Sequence, residues 1–330
     1  SVDSDKYCAG GTSYSGNVLN YAATSSIDLL RYALTGGNRV LDTANQTVLG
    51  RAFLTDFNGI RNGSYFPQKQ VNADLVGKVT PQFVTPGSST NFTGTVYFNS
   101  CDDLLLVGNA SSGGSCATPG DTNAFGPVIA NTKVRMKANV QVCDSTEAAT
   151  RQDSDGVKLC KRYPDDTAGS GNYKPVGELQ RKSEGVRVAA FGYAMENGNG
   201  RYGGVLRAPM KFLGDKYRDT SGAMQSNAQT EWDANTGVFT SNPLSDATYG
   251  TSGAINYLNK FGKTGKYKSN DPVGELYYEA LRYFQGLQPT STATSSLTTA
   301  GYDNFPIYTS WTDPVQNACQ RRNFILTIGD

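Results

Sequence analysis

A chain of 330 residues, whose 30 dispersed Lys and Arg are matched by 29 Asp and Glu, carries a formal charge of +1 and lacks the basic face that nucleic-acid binding needs. Apolar residues make up 38% and charged residues 18%, both below the usual shares; Gly, Ser, Thr, Asn and Tyr replace them, as suits an ordered, loop-rich protein with a neutral polar surface. Histidine is absent, which removes Ser–His and Cys–His nucleophile activation and imidazole ligation of metals, and no run approaches the ~20 apolar residues of a membrane span.

The chain opens Ser1-Val2-Asp3, without an initiator Met or a signal peptide, and reads as a processed product or a fragment. Val18, Leu19, Ala22, Ile27, Leu30, Ala33 and Leu34 recur at helical spacing and predict one helix over 17–35, stopped by Gly36-Gly37. A shorter helix is expected over 46–53. From residue 62 to about 170, Gly, Ser, Thr and Pro punctuate short apolar runs at 94–98 and 104–107, and the strict alternation of 134–142 predicts a half-buried strand. After Tyr173 the texture is again α/β. Residues 186–193 read as a buried strand, followed by a Gly/Asn-rich turn and the run 204–207. Asp271-Pro272 begins a helix with Asp271 at the cap and Glu275 in the first turn. Its apolar face is Leu276, Tyr277, Ala280, Leu281 and Phe284, and Gly286 ends it. The apolar run 323–328 reads as a central parallel strand. Residues 1–61 and 171–330 are therefore expected to form one α/β domain, split by a β-rich insertion over 62–170.

Six cysteines, at 8, 101, 116, 143, 160 and 319, contain no C-x-x-C pair, which argues against zinc and thioredoxin-like chemistry and for disulfides in an oxidising compartment. The simplest pairing is Cys101–Cys116 and Cys143–Cys160 as local staples, with Cys8 joined to Cys319. Other connectivities remain open. The insertion holds four of the six, consistent with a small core that needs stapling.

Nucleotide motifs fail on their context. Gly198-Asn-Gly200-Arg-Tyr-Gly203 has G-x-G-x-x-G spacing, but the strand-like Gly204-Val-Leu-Arg207 follows it where a helix is needed, so a hairpin loop is expected. Gly262-Lys263-Thr264 lacks the P-loop glycine, since position 257 is Tyr. Asp153-Ser-Asp155-Gly156 opens like a calcium loop, but an EF-hand needs Gly where Lys158 stands and Glu where Pro164 stands, leaving a surface turn. Asn45, Asn62, Asn91 and Asn109 begin N-x-S/T sequons and read as surface loops. Asp330 follows the closing run at a place where open sheets bind ligands, and either holds a hard cation such as Mg²⁺ or Ca²⁺ or caps the next loop.

Gly16–Tyr21 with Ile27–Gly37, Tyr173–Gln180, Gly203–Arg207, Gly253–Gly262, Asp271–Phe284 and, most distinctively, Cys319-Gln-Arg-Arg-Asn-Phe-Ile-Leu-Thr-Ile-Gly-Asp330 form a set of blocks. Together they resemble the PilC/PilY family of type IV pilus tip adhesins and biogenesis proteins. They span nearly the whole chain in the family's order. The resemblance implies a von Willebrand factor A-like doubly wound sheet carrying a metal-ion-dependent adhesion site, with Asp271 and Asp330 matching its second and third elements. The D-x-S-x-S loop that completes such a site is absent from residues 1–15, and so is the family's C-terminal propeller.

The expectation is a non-catalytic, exported protein of the cell surface or pilus tip. By resemblance its partners are minor pilins or other pilus subunits, a host or abiotic surface, and the rest of its own polypeptide. The only cofactor implied is Mg²⁺ or Ca²⁺ at the incomplete adhesion site. A structural filament subunit made from a processed fragment is the alternative; a carboxylate-dependent hydrolase would need a catalytic pair that the sequence does not show.

Overall fold

The computed structural model describes residues 14–53, 66–80, 92, 94–101, 103–109, 132–144, 152–153, 155–164, 171–195, 204–260, 272–315 and 322–328. In chain order the elements are α1 (Gly16–Ala23), α2 (Ser26–Thr35), β1 (Arg39–Thr43), β2 (Gln46–Gly50), β3 (Lys69–Val71), α3 (Ala73–Val79), β4 (Val96–Cys101), β5 (Leu104–Gly108), β6 (Thr132–Lys137), β7 (Asn139–Val142), β8 (Cys160–Tyr163), β9 (Asn172–Pro175), α4 (Glu178–Arg181), β10 (Arg187–Tyr193), β11 (Gly204–Phe212), β12 (Lys216–Arg218), β13 (Met224–Ser226), α5 (Ala254–Lys260), α6 (Val273–Phe284), α7 (Ser291–Thr294) and α8 (Thr299–Tyr302). They fall into two compact units. One comprises residues 1–29, 49–140 and 262–264, the other 30–48, 141–261 and 265–330.

Three elements depart from the sequence reading, and local chemistry explains the first two. The helix expected over 17–35 is two helices, because Ser25 and Asp28 form a capping pair that starts α2 afresh. The Ser25 N–H and hydroxyl donate to the Asp28 carboxylate at 2.9 and 2.8 Å, and the Asp28 N–H donates to the Ser25 hydroxyl at 3.3 Å. The helix expected over 46–53 is instead strand β2, hydrogen-bonded to β1 across the turn Ala44-Asn45. Thr47 and Val48 are β-branched, and Thr47 is buried. The single strand expected over 134–142 is divided at Ala138 into β6 and β7.

The first unit is built on a four-stranded antiparallel sheet in the order β3-β4-β5-β6. β5 is central, and Leu105, Leu106 and Val107 are buried together, as the continuous apolar run requires of a strand covered on both faces. Helices α1 and α3 supply Ala22, Val76 and Val79 to a core with Val71, Val96, Phe98, Leu105 and Val107.

The second unit centres on the antiparallel pair β10–β11, with Arg187 opposite Phe212 and Tyr193 opposite Gly204. Ala190 and Ala208 pack with Trp232, Ile255, Tyr257 and Phe305 in one apolar cluster, to which α5 contributes. Leu206 and Phe191 pack in another with Tyr283 of α6 and Trp311. A helix thus serves each of the two clusters that flank the strands. This pairing agrees with the hairpin expected at 198–203, although residues 196–203 lie outside the described residues. The mixed α/β class therefore holds, while a doubly wound parallel sheet is not formed by the described residues. In particular, 323–328 enter no strand: Phe324 is 78%, Leu326 74% and Ile328 48% exposed. An apolar run alone could not place them, because a strand forms only where a neighbour satisfies its backbone.

Cys143 and Cys160 are joined, as their spacing suggests, and tie the end of β7 to the start of β8 across a sequence separation of 17 residues. Cys8, Cys116 and Cys319 and the side chain of Cys101 lie outside the described residues, so the other two pairings are not addressed. Closing a loop of this size removes about 3 kcal/mol of unfolded-state entropy. The double variant Cys143→Ser/Cys160→Ser is expected to lose about that much in urea unfolding followed by tryptophan fluorescence, since Trp232 and Trp311, the only two tryptophans, belong to the second unit.

Candidate interaction surface and the core that supports it

Three sequence-distant stretches meet in a polar hub of the second unit. Arg31 of α2, only 1% exposed, donates to the Asn259 carbonyl of α5 at 3.1 Å, and the Thr35 hydroxyl donates to the Asn259 side chain at 3.0 Å. The Gln180 amide of α4 donates to the Thr35 carbonyl at 2.7 Å and accepts from the Gly177 N–H at 3.0 Å. The main chains touch here: a Cβ added at Gly177 would lie 2.5 Å from the Leu34 oxygen and from the Thr35 nitrogen. Reciprocally, Gly36, with φ of 79°, abuts Pro175 and Val176.

Beside this crossing, one carboxylate serves two buried cations. Asp42 of β1 lies 2.9 Å from Arg39 and 2.8 Å from Lys174, whose side chains are 2% and 0% exposed. Arg39 also donates to the carbonyls of Gly237 and Pro175, each at 2.8 Å, and stacks 3.6 Å above the Phe239 ring. Lys174 adds the Thr47 hydroxyl at 2.9 Å and the Thr43 carbonyl. Burial pushes both cations' pKa values down, and Asp42 opposes the shift.

A further buried cation, Arg207 of β11, donates to the carbonyls of Tyr302 at 2.7 Å, Phe305 at 3.1 Å, Gly301 at 3.1 Å and Tyr193 at 2.6 Å. It thereby closes the C-terminal end of α8 onto the β10–β11 hairpin. Glu231, 1% exposed, accepts the Ala254 and Ile255 N–H groups at 2.9 and 2.7 Å and pairs with Lys211 at 2.9 Å, starting α5. Each of these charges meets backbone or side-chain groups of the protein itself.

The expected metal ligands Asp271 and Asp330 both lie outside the described residues, as does the segment 261–271 that contains Gly262-Lys263-Thr264. Among the described residues no group of three or more acidic, Cys or His side chains is placed to hold a metal. Asp153 forms the expected surface turn, accepting the Asp155 and Val157 N–H groups at 3.0 and 2.8 Å.

The surface is more informative at α6. The face expected to be buried was Leu276, Tyr277, Ala280, Leu281 and Phe284; the buried residues are Glu279, Ala280 and Tyr283. The helix is turned because Tyr283 reaches the Met210 N–H at 3.1 Å and Glu279 accepts the Thr290 hydroxyl at 2.5 Å. The turn leaves Val273, Tyr277 and Leu281 in one row with Tyr278 beside it, 48%, 48%, 36% and 53% exposed.

Residues 1–103 match the PilY1 homolog small alpha/beta domain, and residues 197–328 match the PilY1 homolog second domain. The chain belongs to the PilY1 family. Two relatives named type IV pilus biogenesis factor PilY1 homolog, both from Xylella fastidiosa, agree. One is 36% identical over 351 residues, covering 97% of this chain and 26% of that protein. The other is 26% identical over 313 residues, covering 85% and 20%. The chain thus spans about a quarter or less of these relatives' length. No solved structure matches. Within the PilY1 frame, residues 30–37, 173–180 and 253–260 of the blocks read from the sequence meet at the Gly36–Gly177 crossing, and the block 203–207 carries Arg207. These blocks mark the scaffold of the second unit. Sequence reading missed its charges, although Arg207 inside the apolar run Val205-Leu206-Arg207-Ala208 is a legible signal, because a cation in a buried strand must have dedicated partners.

Proposed function

We propose that the protein works at the cell surface as a pilus-associated assembly and adhesion factor, through contacts with other proteins and with surfaces and without chemistry of its own. The observation that carries this reading is the exposed row Val273, Tyr277 and Leu281 with Tyr278, on a unit whose buried charges, among the described residues, meet partners within the protein. Clustered aromatic side chains on an otherwise polar, charge-balanced surface are the composition of contact hot spots. The two relatives bear the name of pilus biogenesis factors, and minor pilins or other pilus subunits, a host or abiotic surface, and the rest of its own polypeptide are the partners proposed here.

Gold-labelled antibody on intact piliated cells is expected to mark pili or the outer surface, and label confined to the cytosol would overturn the proposal. Tyr277→Ala with Tyr278→Ala is expected to reduce surface attachment at least tenfold, the loss of a single hot spot, with unchanged thermal unfolding. A second reading, a structural subunit of an extracellular filament, draws on the exposed Phe324, Leu326 and Ile328; large polymers in sedimentation would favour it.

A further inference from the structure

Residues 322–328, Arg-Asn-Phe-Ile-Leu-Thr-Ile, have the composition of a strand and the surroundings of none. They belong to no helix or sheet, and among the described residues none of their backbone groups has a hydrogen-bond partner. Phe324, Leu326 and Ile328 alternate along the run and are exposed, whereas Ile325 is half-buried. Beyond Arg322 the run is uncharged, proline-free and rich in apolar and β-branched residues, and such a run is stable in water only when another edge takes up its backbone.

The second unit offers an edge of matching length. β10 and β11 form a two-stranded sheet of seven and nine residues, and no other described strand is longer than six. The far side of β11 is already engaged, because the Tyr308 N–H donates to the Leu206 carbonyl at 3.0 Å. The far side of β10 has no strand beside it among the described residues. Pairing the seven residues 322–328 antiparallel with 187–193 places Arg322 opposite Tyr193, whereas a parallel register would set Arg322 against Arg187. Like charges directly opposed are unfavourable. The antiparallel register also sorts the side chains. Phe324 and Leu326 fall beside Phe191 and Ala189, which pack against Leu206, Tyr283 and Trp311, and Ile325 falls beside Ala190 on the opposite cluster.

We propose that residues 322–328 of one copy add as a third strand to the β10 edge of a second copy, reciprocally, giving a two-fold pair. The occupant is a second copy because the segment does not lie on the β10 edge of its own chain and the area suffices. Each arm exposes roughly 400 Å² of apolar side chain, and two arms with the surface they cover bury roughly 1,600 Å², the size of a standard stable interface. A reciprocal exchange closes on itself, which an open head-to-tail exchange does not. This pairing does not rest on the pilus reading and would hold wherever the protein acts.

The test uses the 330-residue chain in two single variants, Val188→Cys and Thr327→Cys, which the register sets directly opposite each other. Mixing the two under oxidation is expected to give a cross-linked dimer that neither gives alone. Sedimentation of the parent is expected to show a dimer that Phe324→Asp with Leu326→Asp converts to monomer, with the Trp232 and Trp311 unfolding transition unmoved. These substitutions sit at exposed positions, so loss of the dimer without loss of that transition separates exchange from misfolding. Four outcomes would overturn the proposal. They are a monomeric parent, a dimer indifferent to the Asp variant, no cross-link on mixing the two cysteine variants, and an open polymer.

Discussion

Asp42→Asn is expected to unfold the second unit about 3–5 kcal/mol more easily than the parent, the cost of leaving buried charge without its counter-charge. The substitution keeps size and shape, so packing is nearly unchanged. What changes is that Arg39 and Lys174, 2% and 0% exposed, lose the one carboxylate they share. Asp42 also accepts the Phe239 N–H at 2.9 Å, so the residue ties β1 to the 233–239 turn as well as to β9. Lys174→Met should cost far less, about 1–2 kcal/mol, because Asp42 then still faces Arg39 and an apolar chain replaces the second buried cation. The sign with pH follows from the same geometry. Burial lowers the Lys174 pKa in the folded state, so the unfolded chain binds more protons there and stability rises as pH rises toward the unfolded lysine value. Without Asp42 to oppose the shift, the deficit of Asp42→Asn should therefore shrink in alkaline solution. Urea unfolding by tryptophan fluorescence reads this directly. A deficit for Asp42→Asn no larger than that of Lys174→Met would show that the carboxylate is not the shared support.

What could be read from the sequence was what short-range physics decides. Gly36 and Gly286 adopt the left-handed conformation expected of helix ends, with φ of 79° and 68°. The runs read at 94–98, 104–107, 186–193 and 204–207 fall on strands β4, β5, β10 and β11. The 143–160 staple follows from spacing. What misled was the inference from apolarity to depth. The run 323–328 and the expected face of α6 are as apolar as core segments, yet Phe324 and Tyr277 are exposed, since burial depends on which other element arrives. The converse also failed: Arg31, Lys174, Arg207 and Glu231 are buried, and single-residue hydropathy places all four at the surface. The Ser25-x-x-Asp28 cap was legible and would have divided the first helix correctly.

Gly177→Ala is expected to cost about 3 kcal/mol, the upper range for inserting atoms into a site with no room. Most glycine replacements are costly because the backbone is left-handed, but Gly177 has φ of −105°, which any residue adopts. The penalty must come from elsewhere. The added Cβ would lie 2.5 Å from both the Leu34 oxygen and the Thr35 nitrogen, which are main-chain atoms at the end of α2 and cannot rotate aside. Relief requires the 173–180 segment to move away from α2, which would lengthen the Gln180 bond to the Thr35 carbonyl. It would also disturb the Arg39 bond to the Pro175 carbonyl. A control in the same unit is Gly185→Ala, where an added Cβ meets nothing within 4 Å. It is expected to change stability by no more than about 0.5 kcal/mol. The difference between the two variants isolates the main-chain crossing from the general effect of removing a glycine. Equal unfolding midpoints would mean that this crossing is loose, and that the blocks 27–37 and 173–180 are held together by their side chains alone.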